Sequence, residues 1–211
     1  MRCFIFGAGV RTRPDILPEK GDLVIAADGG YEYCLEAGVK PDLFIGDLDS
    51  LGSAPEGVEK LILPVVKDVT DSYAAAEKGL KEGASEFYFY GCAGGRPDHT
   101  FANLSTLAAL SEKGKKAFMF FEGYAATAIT GKKAVFPSDM KGGLSVFAWG
   151  GDAENVNING AKYVLSNGRL SPSFPLGVSN SFVGESAEIS VGKGTLLLFF
   201  SENGGAMPEI Y

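Results

Sequence analysis

The first 130 residues show a repeated alternation of two kinds of segment. Short apolar runs that end in glycine or an acid, such as CFIFGAG and LVIAADGG, alternate with segments of helical composition. Short apolar runs bounded by turn residues indicate buried strands, and strands that alternate with helices indicate a mostly parallel sheet. We therefore predict an N-terminal α/β domain over residues 1–130, with a doubly wound, mostly parallel sheet.

Individual elements can be placed within this pattern. The helix over DSYAAAEKGLKEG is expected to be capped by Asp68 or Thr70 and to end at Gly83, and a second helix is expected from about Asp98 to Lys113. A shorter helical segment is YEYCLEAG. Further strands are expected in DLFIG, LILPVV, EFYFY and KAFMFF.

The pattern changes after about residue 130. No helical period recurs, and short apolar segments alternate with Gly, Asn, Ser and Pro: KAVFP, GLSVFAW, NVNINGAKYVL, SFVGESAEIS and TLLLFF. Such segments favour antiparallel strands, so we predict an all-β sandwich domain over residues 131–211. The final segment, SENGGAMPEIY, is expected to be frayed.

Composition excludes several classes of protein. A net charge of −7 argues against a nucleic-acid partner, which would require clustered Lys and Arg. No apolar run approaches the roughly 18 residues of a membrane span, and MRCFIFGAGVR is too short for a secretory signal. Cys3, Cys34 and Cys92 lack C-x-x-C spacing, so buried reduced thiols are expected. Together these features predict a cytoplasmic protein without a membrane partner.

Polar residues gather at the ends of the predicted strands. Any single Asp at such a position is readily explained as a helix cap, but four successive strand ends carry acids. Ligands of parallel sheets bind at the carboxyl ends of the strands, so these residues are expected to share one crevice. They are Asp28, Gly29 and Gly30; Asp47 and Asp49; Lys67, Asp68 and Asp71; and Gly94, Gly95, Arg96, Asp98 and His99.

Two of these groups suggest metal binding. Asp47 and Asp49 in GDLDS are two residues apart, so in an extended stretch both carboxylates point the same way and can share a hard cation. A turn in which these acids bond their own backbone is the alternative. Asp71 stands in the first turn of a helix, where the dipole favours its anionic form. An acidic crevice that handles phosphate requires Mg²⁺ or Mn²⁺ to offset the repulsion.

The segment GCAGGRPDH favours phosphate binding. It follows a strand and opens a helix, so the N–H groups of Gly94 and Gly95 can face phosphate oxygens while the Arg96 fork binds them. His99 is the only histidine, although a histidine at a helix start can equally bond the backbone. The chain has no P-loop, and FGAGVR lacks the last glycine of G-x-G-x-x-G because Thr12 occupies that position. These residues point to Mg²⁺-dependent phosphoryl transfer.

Taken together, five motifs resemble those of the thiamine pyrophosphokinase family. They are ADGG, PDLFIGDLDS, DVTD, GGRPDHTFAN and SNSF, in family order over nearly the whole chain. The resemblance implies transfer of a pyrophosphoryl group from ATP to the hydroxyethyl oxygen of thiamine, which gives thiamine diphosphate and AMP.

The resemblance also implies roles for individual residues. Asp47, Asp49 and Asp71 correspond to acids that would face Mg²⁺ and phosphate, and Asp28 would lie near the nucleotide. Arg96 and Asp98 would hold phosphates and assist the attacking hydroxyl. The remaining implied binding residues are Gly29, Gly30, Gly94, Gly95, His99, Asn103, Ser179 and Asn180, the last two holding thiamine across a homodimer interface.

One departure from the family concerns an aromatic contact. Some relatives place a tryptophan in the last strand near thiamine, whereas TLLLFF offers Leu198 or Phe199 there. The only tryptophan, Trp149, closes a different predicted strand and is expected in the core or an interface.

Three other readings remain open from the residues. A phosphohydrolase with an Asp nucleophile also places D-x-D at a strand end, but it requires D-x-D-x-[TV], and Ser50 and Leu51 follow Asp49. A nucleotide or metabolite sensor could keep the fold without the activity. A pyrophosphokinase acting on a pterin alcohol would share the first domain, and Ser179 with Asn180 favours thiamine over it.

Overall fold

The computed structural model describes residues 1–46, 57–64 and 68–211. The predicted metal ligands Asp47 and Asp49 lie outside the described residues, as does Lys67. The chain divides into two compact units, Met1–Thr106 with Ala117–Glu122 and Leu107–Lys116 with Gly123–Tyr211. The predicted mixed α/β class is confirmed, while the division into residues 1–130 and 131–211 stays a prediction.

The first unit is built on a sheet with parallel pairing. Its strands are β1 (Arg2–Phe6), β2 (Leu23–Ala27), β3 (Leu43–Gly46), β4 (Glu59–Ile62), β5 (Glu86–Tyr90) and β6 (Lys116–Phe121). Strand β1 lies between β5 and β2 and pairs in parallel with both; β2 pairs with β3, and β3 with β4, also in parallel. The order across the sheet is β6-β5-β1-β2-β3-β4.

Three helices connect these strands: α1 (Gly30–Glu36), α2 (Asp71–Lys81) and α3 (Pro97–Glu112). The Tyr33 ring of α1 packs edge-on against Phe6, with 5.2 Å between centroids. Gly79 of α2 packs instead against Cys3. Because side chains alternate along a strand, Cys3 and Phe6 lie on opposite faces of β1, so α1 and α2 contact opposite faces of this strand.

The start of α2 decides between the two predicted caps. Thr70 is the N-cap, and its Oγ1 accepts a hydrogen bond from the Tyr73 N–H at 3.1 Å. This bond satisfies one of the unpaired donors at the helix N-terminus. Asp68 is therefore not the cap, and Asp71 is the first residue of the helix.

Aromatic side chains fill the core of the first unit. Phe4 stacks on Tyr88 at 4.8 Å, and Tyr90 stacks on Phe120 at 4.4 Å between ring centroids. All three cysteines are buried and free, as the sequence predicts. Burial raises the pKa of each thiol to about 12, so these cysteines stay protonated and act as small apolar side chains.

The second unit is antiparallel. Its strands are β7 (Tyr124–Thr130), β8 (Lys133–Phe136), β9 (Gly143–Asn159), β10 (Leu165–Leu170), β11 (Asn180–Ser181), β12 (Ala187–Ser190), β13 (Lys193–Ser201) and β14 (Glu209–Ile210). The order across these strands is β14-β8-β12-β9-β13-β7, and β10 and β11 also pair with β9.

Two expectations for this unit are wrong. GLSVFAW and the start of NVNINGAKYVL belong to one continuous strand, β9, whose first part pairs with β13 and β11 and whose later part pairs with β10 and β12. A register shift between Lys193 and Thr195 marks the change along β9. The expected frayed end is also ordered, because Glu209 and Ile210 pair with β8 and Ile210 is buried.

In the described part of the chain, every helix is too short or too polar to cross a bilayer.

Gly79 offers a test of packing in the first unit. A Cβ at this position would lie 2.8 Å from Cys3 Sγ and 2.8 Å from Phe87 Cε1. Alanine normally stabilises an exposed helix by about 1 kcal/mol relative to glycine. Here overpacking should outweigh that gain, so Gly79→Ala should lower the free energy of unfolding by about 1–2 kcal/mol in urea titrations. Lys81→Ala, on the exposed side of the same helix, should change it by less than about 0.5 kcal/mol. A stabilised Gly79→Ala protein would contradict the packing.

Candidate functional site

A cavity of about 350 Å³ opens at the carboxyl ends of β1, β2 and β5. Strand β1 lies in the middle of these three, where the chain connections run to either side of the sheet, which is where parallel sheets bind ligands. The lining comes from the loops after the three strands and from the first turns of α2 and α3. It consists of Ala8, Gly9, Asp28, Ser72, Gly91, Cys92, Gly94, Gly95, Arg96, His99 and Asn103.

Backbone hydrogen bonds join the loop after β1 to the loop after β5. The Gly9 N–H donates to the Gly91 carbonyl at 2.6 Å, and the Val10 N–H donates to the Ala93 carbonyl at 2.8 Å. A Cβ on Gly9 would lie 2.5 Å from the Ala93 oxygen, so only glycine permits this approach. The sequence reasoning missed Ala8 and Gly9, because FGAG was considered only as an incomplete dinucleotide-binding motif.

The structure brings many of the predicted residues together, and leaves others outside the lining. Asp28, Gly94, Gly95, Arg96, His99 and Asn103 all line the cavity. Gly29 and Gly30 follow Asp28 but do not line it; a Cβ on Gly30 would lie 1.8 Å from the Phe6 carbonyl oxygen, so close packing explains this glycine. Asp71 directly precedes the lining residue Ser72.

Asp28 has an unusual backbone conformation. Its φ is 52°, in the left-handed region, and its N–H donates to the Ile45 carbonyl at 2.8 Å. A residue with a side chain pays about 1 kcal/mol for this conformation, and such residues cluster at functional sites. The hydrogen bond ties the end of β2 to β3 and holds Asp28 at the cavity.

Arg96 and Asp98 form an exposed ion pair. Arg96 donates from Nη2 to Asp98 Oδ2 at 2.6 Å and from Nε to Oδ1 at 3.3 Å. The hydrogen bond from Arg96 holds the pKa of Asp98 below its usual value. Asp98 is therefore an ionised carboxylate at neutral pH and can accept a proton or a hydrogen bond, but it cannot act as an acid.

Two side chains of α3 brace the glycine loop that contains Arg96. Thr100 Oγ1 accepts a hydrogen bond from the Gly94 N–H at 3.0 Å and donates one to the Arg96 carbonyl at 3.2 Å. Asn103 Nδ2 donates to the Cys92 carbonyl at 2.7 Å. The Gly94 N–H thus has an internal partner, and its predicted contact with phosphate stays a prediction. Thr100 lies inside the GGRPDHTFAN motif, but sequence reasoning gave it no role.

The Asn103 amide has a defined orientation. Its Nδ2 must face the Cys92 carbonyl, which only accepts, so Oδ1 points away from that carbonyl. Within the described residues, Oδ1 is buried and has no hydrogen-bond partner. A buried acceptor without a partner is costly, which suits a residue that lines a ligand cavity.

The described residues contain no group of three or more His, Cys, Asp or Glu side chains arranged to hold a metal ion. Two of the three predicted metal ligands, Asp47 and Asp49, lie outside these residues. Among the described carboxylates, Asp28 lines the cavity, and Asp71 and Asp98 directly precede the lining residues Ser72 and His99. Carboxylate oxygens of this kind are the ligands that Mg²⁺ prefers.

The predicted thiamine contacts lie in the second unit. Ser179 is exposed, has a φ of 60°, and donates its N–H to Ser145 Oγ at 3.2 Å. Asn180 is buried and uses its amide on Tyr163: Oδ1 accepts from the Tyr163 N–H at 2.9 Å, and Nδ2 donates to the Tyr163 carbonyl at 2.6 Å. Asn180 therefore fixes the backbone conformation at Tyr163.

An aromatic pair lies on the same strand face as Ser145. Phe199 of β13 pairs opposite Ser145 of β9, and Phe147 is two residues further along β9. The Phe147 and Phe199 rings meet edge to face at 5.9 Å. Of the two predicted substitutes for the family's tryptophan, Leu198 is fully buried and Phe199 is partly exposed. Trp149 is half-buried on β9 and pairs with Thr195.

Comparison with known proteins gives a consistent result. The sequence model for "Thiamin pyrophosphokinase, catalytic domain" matches residues 15–119, and that for "Thiamin pyrophosphokinase, vitamin B1 binding domain" matches residues 134–196. The chain belongs to the thiamin pyrophosphokinase family. The thiamine pyrophosphokinase of Bacillus subtilis strain 168 is 25% identical over 186 residues, which cover 85% of this chain and 87% of that protein.

Solved structures of thiamin pyrophosphokinases share the fold. The enzyme from Bacillus subtilis has a TM-score of 0.85 at 22% identity, covering 96% of this chain and 100% of that one. The enzyme from Geobacillus thermodenitrificans has a TM-score of 0.82 at 24% identity, covering 98% and 100%. The yeast enzyme has a TM-score of 0.75 at 17% identity, covering 97% and 87%.

Thr100→Val tests the brace on the glycine loop. Valine keeps the shape of threonine but removes the hydroxyl that binds the Gly94 N–H. One lost hydrogen bond of about 1 kcal/mol should speed amide hydrogen exchange at Gly94 about fivefold, as measured by NMR. Ser105→Ala removes a hydroxyl that bonds Phe101 on the same helix and should leave Gly94 unchanged. Equal protection of Gly94 in both variants would argue against the brace.

Proposed function

We propose that this chain transfers a pyrophosphoryl group from ATP to thiamine, giving thiamine diphosphate and AMP. The observation that supports this most strongly is the glycine-lined cavity of the first unit, which combines Arg96, Asp28 and loop backbone at the carboxyl ends of three strands. Both domains of the thiamin pyrophosphokinase family match the chain, and the second is described as binding vitamin B1.

The cavity of the first unit suits the phosphates of ATP. Glycine loops bring backbone close to a ligand without side chains in the way, and Arg96 supplies a planar fork that can bind two phosphate oxygens. In the structure this fork is paired with Asp98. Phosphate oxygens would compete for the same donors, which would leave the Asp98 carboxylate available to the hydroxyl of thiamine.

Mg²⁺ is part of the proposal. When bound, Mg²⁺ would supply positive charge that offsets the negative charge developing on the phosphates during transfer. Asp47, Asp49 and Asp71 are the proposed ligands, with Asp28 on the nucleotide side. What supports this is the chemistry of the donors, since carboxylates near a phosphate cavity would otherwise repel the substrate.

The chain's own residues would mainly position the reactants. Pyrophosphoryl transfer requires an oxygen nucleophile in line with the leaving group, and most of the catalysis comes from orientation and electrostatics. Arg96 would hold the transferred group, Asp98 would orient the thiamine hydroxyl and accept its hydrogen bond, and Asp71 would act at the metal. His99 and Asn103 would contact the nucleotide from the first turns of α3.

Thiamine is assigned to the second unit. Its cationic ring would find an electron-rich surface in the Phe147 and Phe199 pair, near the exposed Ser179. Asn180 would support this region by holding Tyr163 in place. The net charge of −7 does not oppose a cationic substrate.

The finer description of the fold is also part of the proposal. In the first unit, contacts of α1 and α2 on opposite faces of β1 support a doubly wound sheet. In the second unit, the long strand β9 pairs with different partners along its length, which supports a sandwich in which one strand contributes to two sheets. A cytoplasmic location stays a prediction from the sequence.

A homodimer with the active site at the subunit interface completes the proposal. A groove of about 120 Å³ in the second unit is bordered by apolar side chains that are 44% to 71% exposed. Exposed apolar clusters of this kind mark interaction surfaces in soluble proteins. The exposed residues are Tyr163, Val164, Leu176 and Val178.

The reaction itself is tested with purified protein, ATP, Mg²⁺ and thiamine. The expected products are AMP and thiamine diphosphate in equal amounts, identified by chromatography and mass spectrometry. Removal of Mg²⁺ with EDTA should abolish turnover, and added Mg²⁺ should restore it. Release of ADP with thiamine monophosphate would show a stepwise kinase instead, and turnover of a pterin alcohol but not thiamine would correct the substrate.

Arg96→Lys tests the phosphate contact. Lysine keeps the charge but loses the planar fork, so kcat/KM should fall about tenfold or more. Arg169→Lys is a matched control, because Arg169 pairs with Asp152 in the second unit and its side chain is 68% exposed, compared with 69% for Arg96. The control should keep its activity within about twofold. Unchanged kinetics in Arg96→Lys would remove Arg96 from the proposed site.

Val164→Asp tests the interface. Val164 is 71% exposed at the groove, and a charge there would be desolvated in a dimer. Sedimentation should show a dimer for the wild-type protein and monomers for the variant, with loss of turnover if the site is shared. Leu17→Asp changes a residue that is 50% exposed in the first unit and should stay dimeric. A dimeric Val164→Asp protein would place the interface elsewhere.

A further inference from the structure

Tyr33 is a buried residue of α1 that lies beneath the loop after β1. Its hydroxyl bonds both backbone groups of one residue: it accepts from the Thr12 N–H at 3.1 Å and donates to the Thr12 carbonyl. A single phenol therefore satisfies a donor and an acceptor in a segment without regular structure. Burial raises the pKa of this phenol, so it remains a donor at neutral pH.

The ring of Tyr33 makes a second set of contacts. A Cβ on Gly91 would lie 2.9 Å from Tyr33 Cδ1, so the ring packs directly against the backbone of the loop after β5. The same ring meets Phe6 of β1 in an edge-to-face contact. Tyr33 thus contacts both loops that line the cavity, one through its hydroxyl and the other through its ring.

A surface contact also holds the segment of Arg11 and Thr12 to α1. The Arg11 guanidinium lies 5.9 Å from the centroid of the Tyr33 ring and pairs with Glu32 and Glu36 on the helix. These exposed ion pairs contribute little by themselves. They nevertheless place Arg11 and Thr12 against α1 immediately after Gly9 and Val10, which bond the loop after β5.

We infer that Tyr33 is a positioning residue for the phosphate end of the substrate, acting through the backbone of the loop that contains Ala8 and Gly9. This inference rests on the proposed function, in which the cavity holds the phosphates of ATP. The hydroxyl fixes Thr12, and the hydrogen bonds at Gly9 and Val10 fix the preceding residues, so the cavity wall is held at both ends. Preorganised backbone loses less freedom when a ligand binds.

Tyr33→Phe tests the inference, because it removes only the hydroxyl and keeps the ring against Gly91. The KM for ATP should rise about fivefold or more, while the KM for thiamine stays within about twofold. Hydrogen exchange of a peptide covering residues 7–13 should become faster. Tyr31→Phe, the same change two residues earlier on α1, should alter neither measurement.

A third measurement separates failure of this inference from failure of the proposed function. Calorimetry with Mg²⁺-tripolyphosphate reports on the cavity without thiamine or turnover, and Tyr33→Phe should weaken this binding about fivefold or more. Unchanged tripolyphosphate affinity, or equal increases in the KM values of both substrates, would overturn the positioning role. If the wild-type protein binds tripolyphosphate but makes no thiamine diphosphate, the assigned reaction fails, and weaker binding by Tyr33→Phe still supports the inference.

Discussion

The pairing of the loops after β1 and β5 is the constraint on which the rest of the candidate site depends. Two backbone hydrogen bonds, at Gly9 and Val10, bring these loops together beyond the end of the sheet. A side chain at Gly9 would collide with the Ala93 carbonyl, so the approach requires glycine. The result is a cavity with a wall made largely of backbone, which can come close to the oxygens of a phosphate chain.

The helices of the first unit keep this wall in place. Thr100 and Asn103 of α3 form hydrogen bonds with the glycine loop after β5. Tyr33 of α1 forms hydrogen bonds with Thr12 in the segment after β1. Each bond joins a side chain in a regular element to backbone in an irregular one. The strained Asp28 is held differently, by a backbone hydrogen bond from its N–H to the Ile45 carbonyl of β3. Such bracing reduces the reorganisation that a charged substrate would otherwise require.

The second unit has a different architecture and a different placement of its candidate functional residues. Its core is formed by antiparallel strands around the long β9, and its functional candidates lie on an outward face and in an exposed groove. Ser179 and Phe199 are near Ser145, whereas Asn180 is buried and organises Tyr163. A polar residue in a family motif can thus act on the protein's own backbone, as Asn180 does with both atoms of its amide.

The sequence by itself determined the α/β class, the order of most elements, and the strand ends at which polar residues gather, because hydrophobic periodicity and turn residues are local signals. It predicted six of the residues that line the cavity, from Asp28 to Asn103. Only the tertiary structure decided that Gly9 meets Ala93, that Tyr33 bonds Thr12, that β9 is continuous and that Ile210 is buried. The first, second and fourth of these contacts join residues that are far apart in the chain. The third depends on pairing with neighbouring strands, which keeps β9 extended through its glycines. No local sequence pattern encodes such contacts.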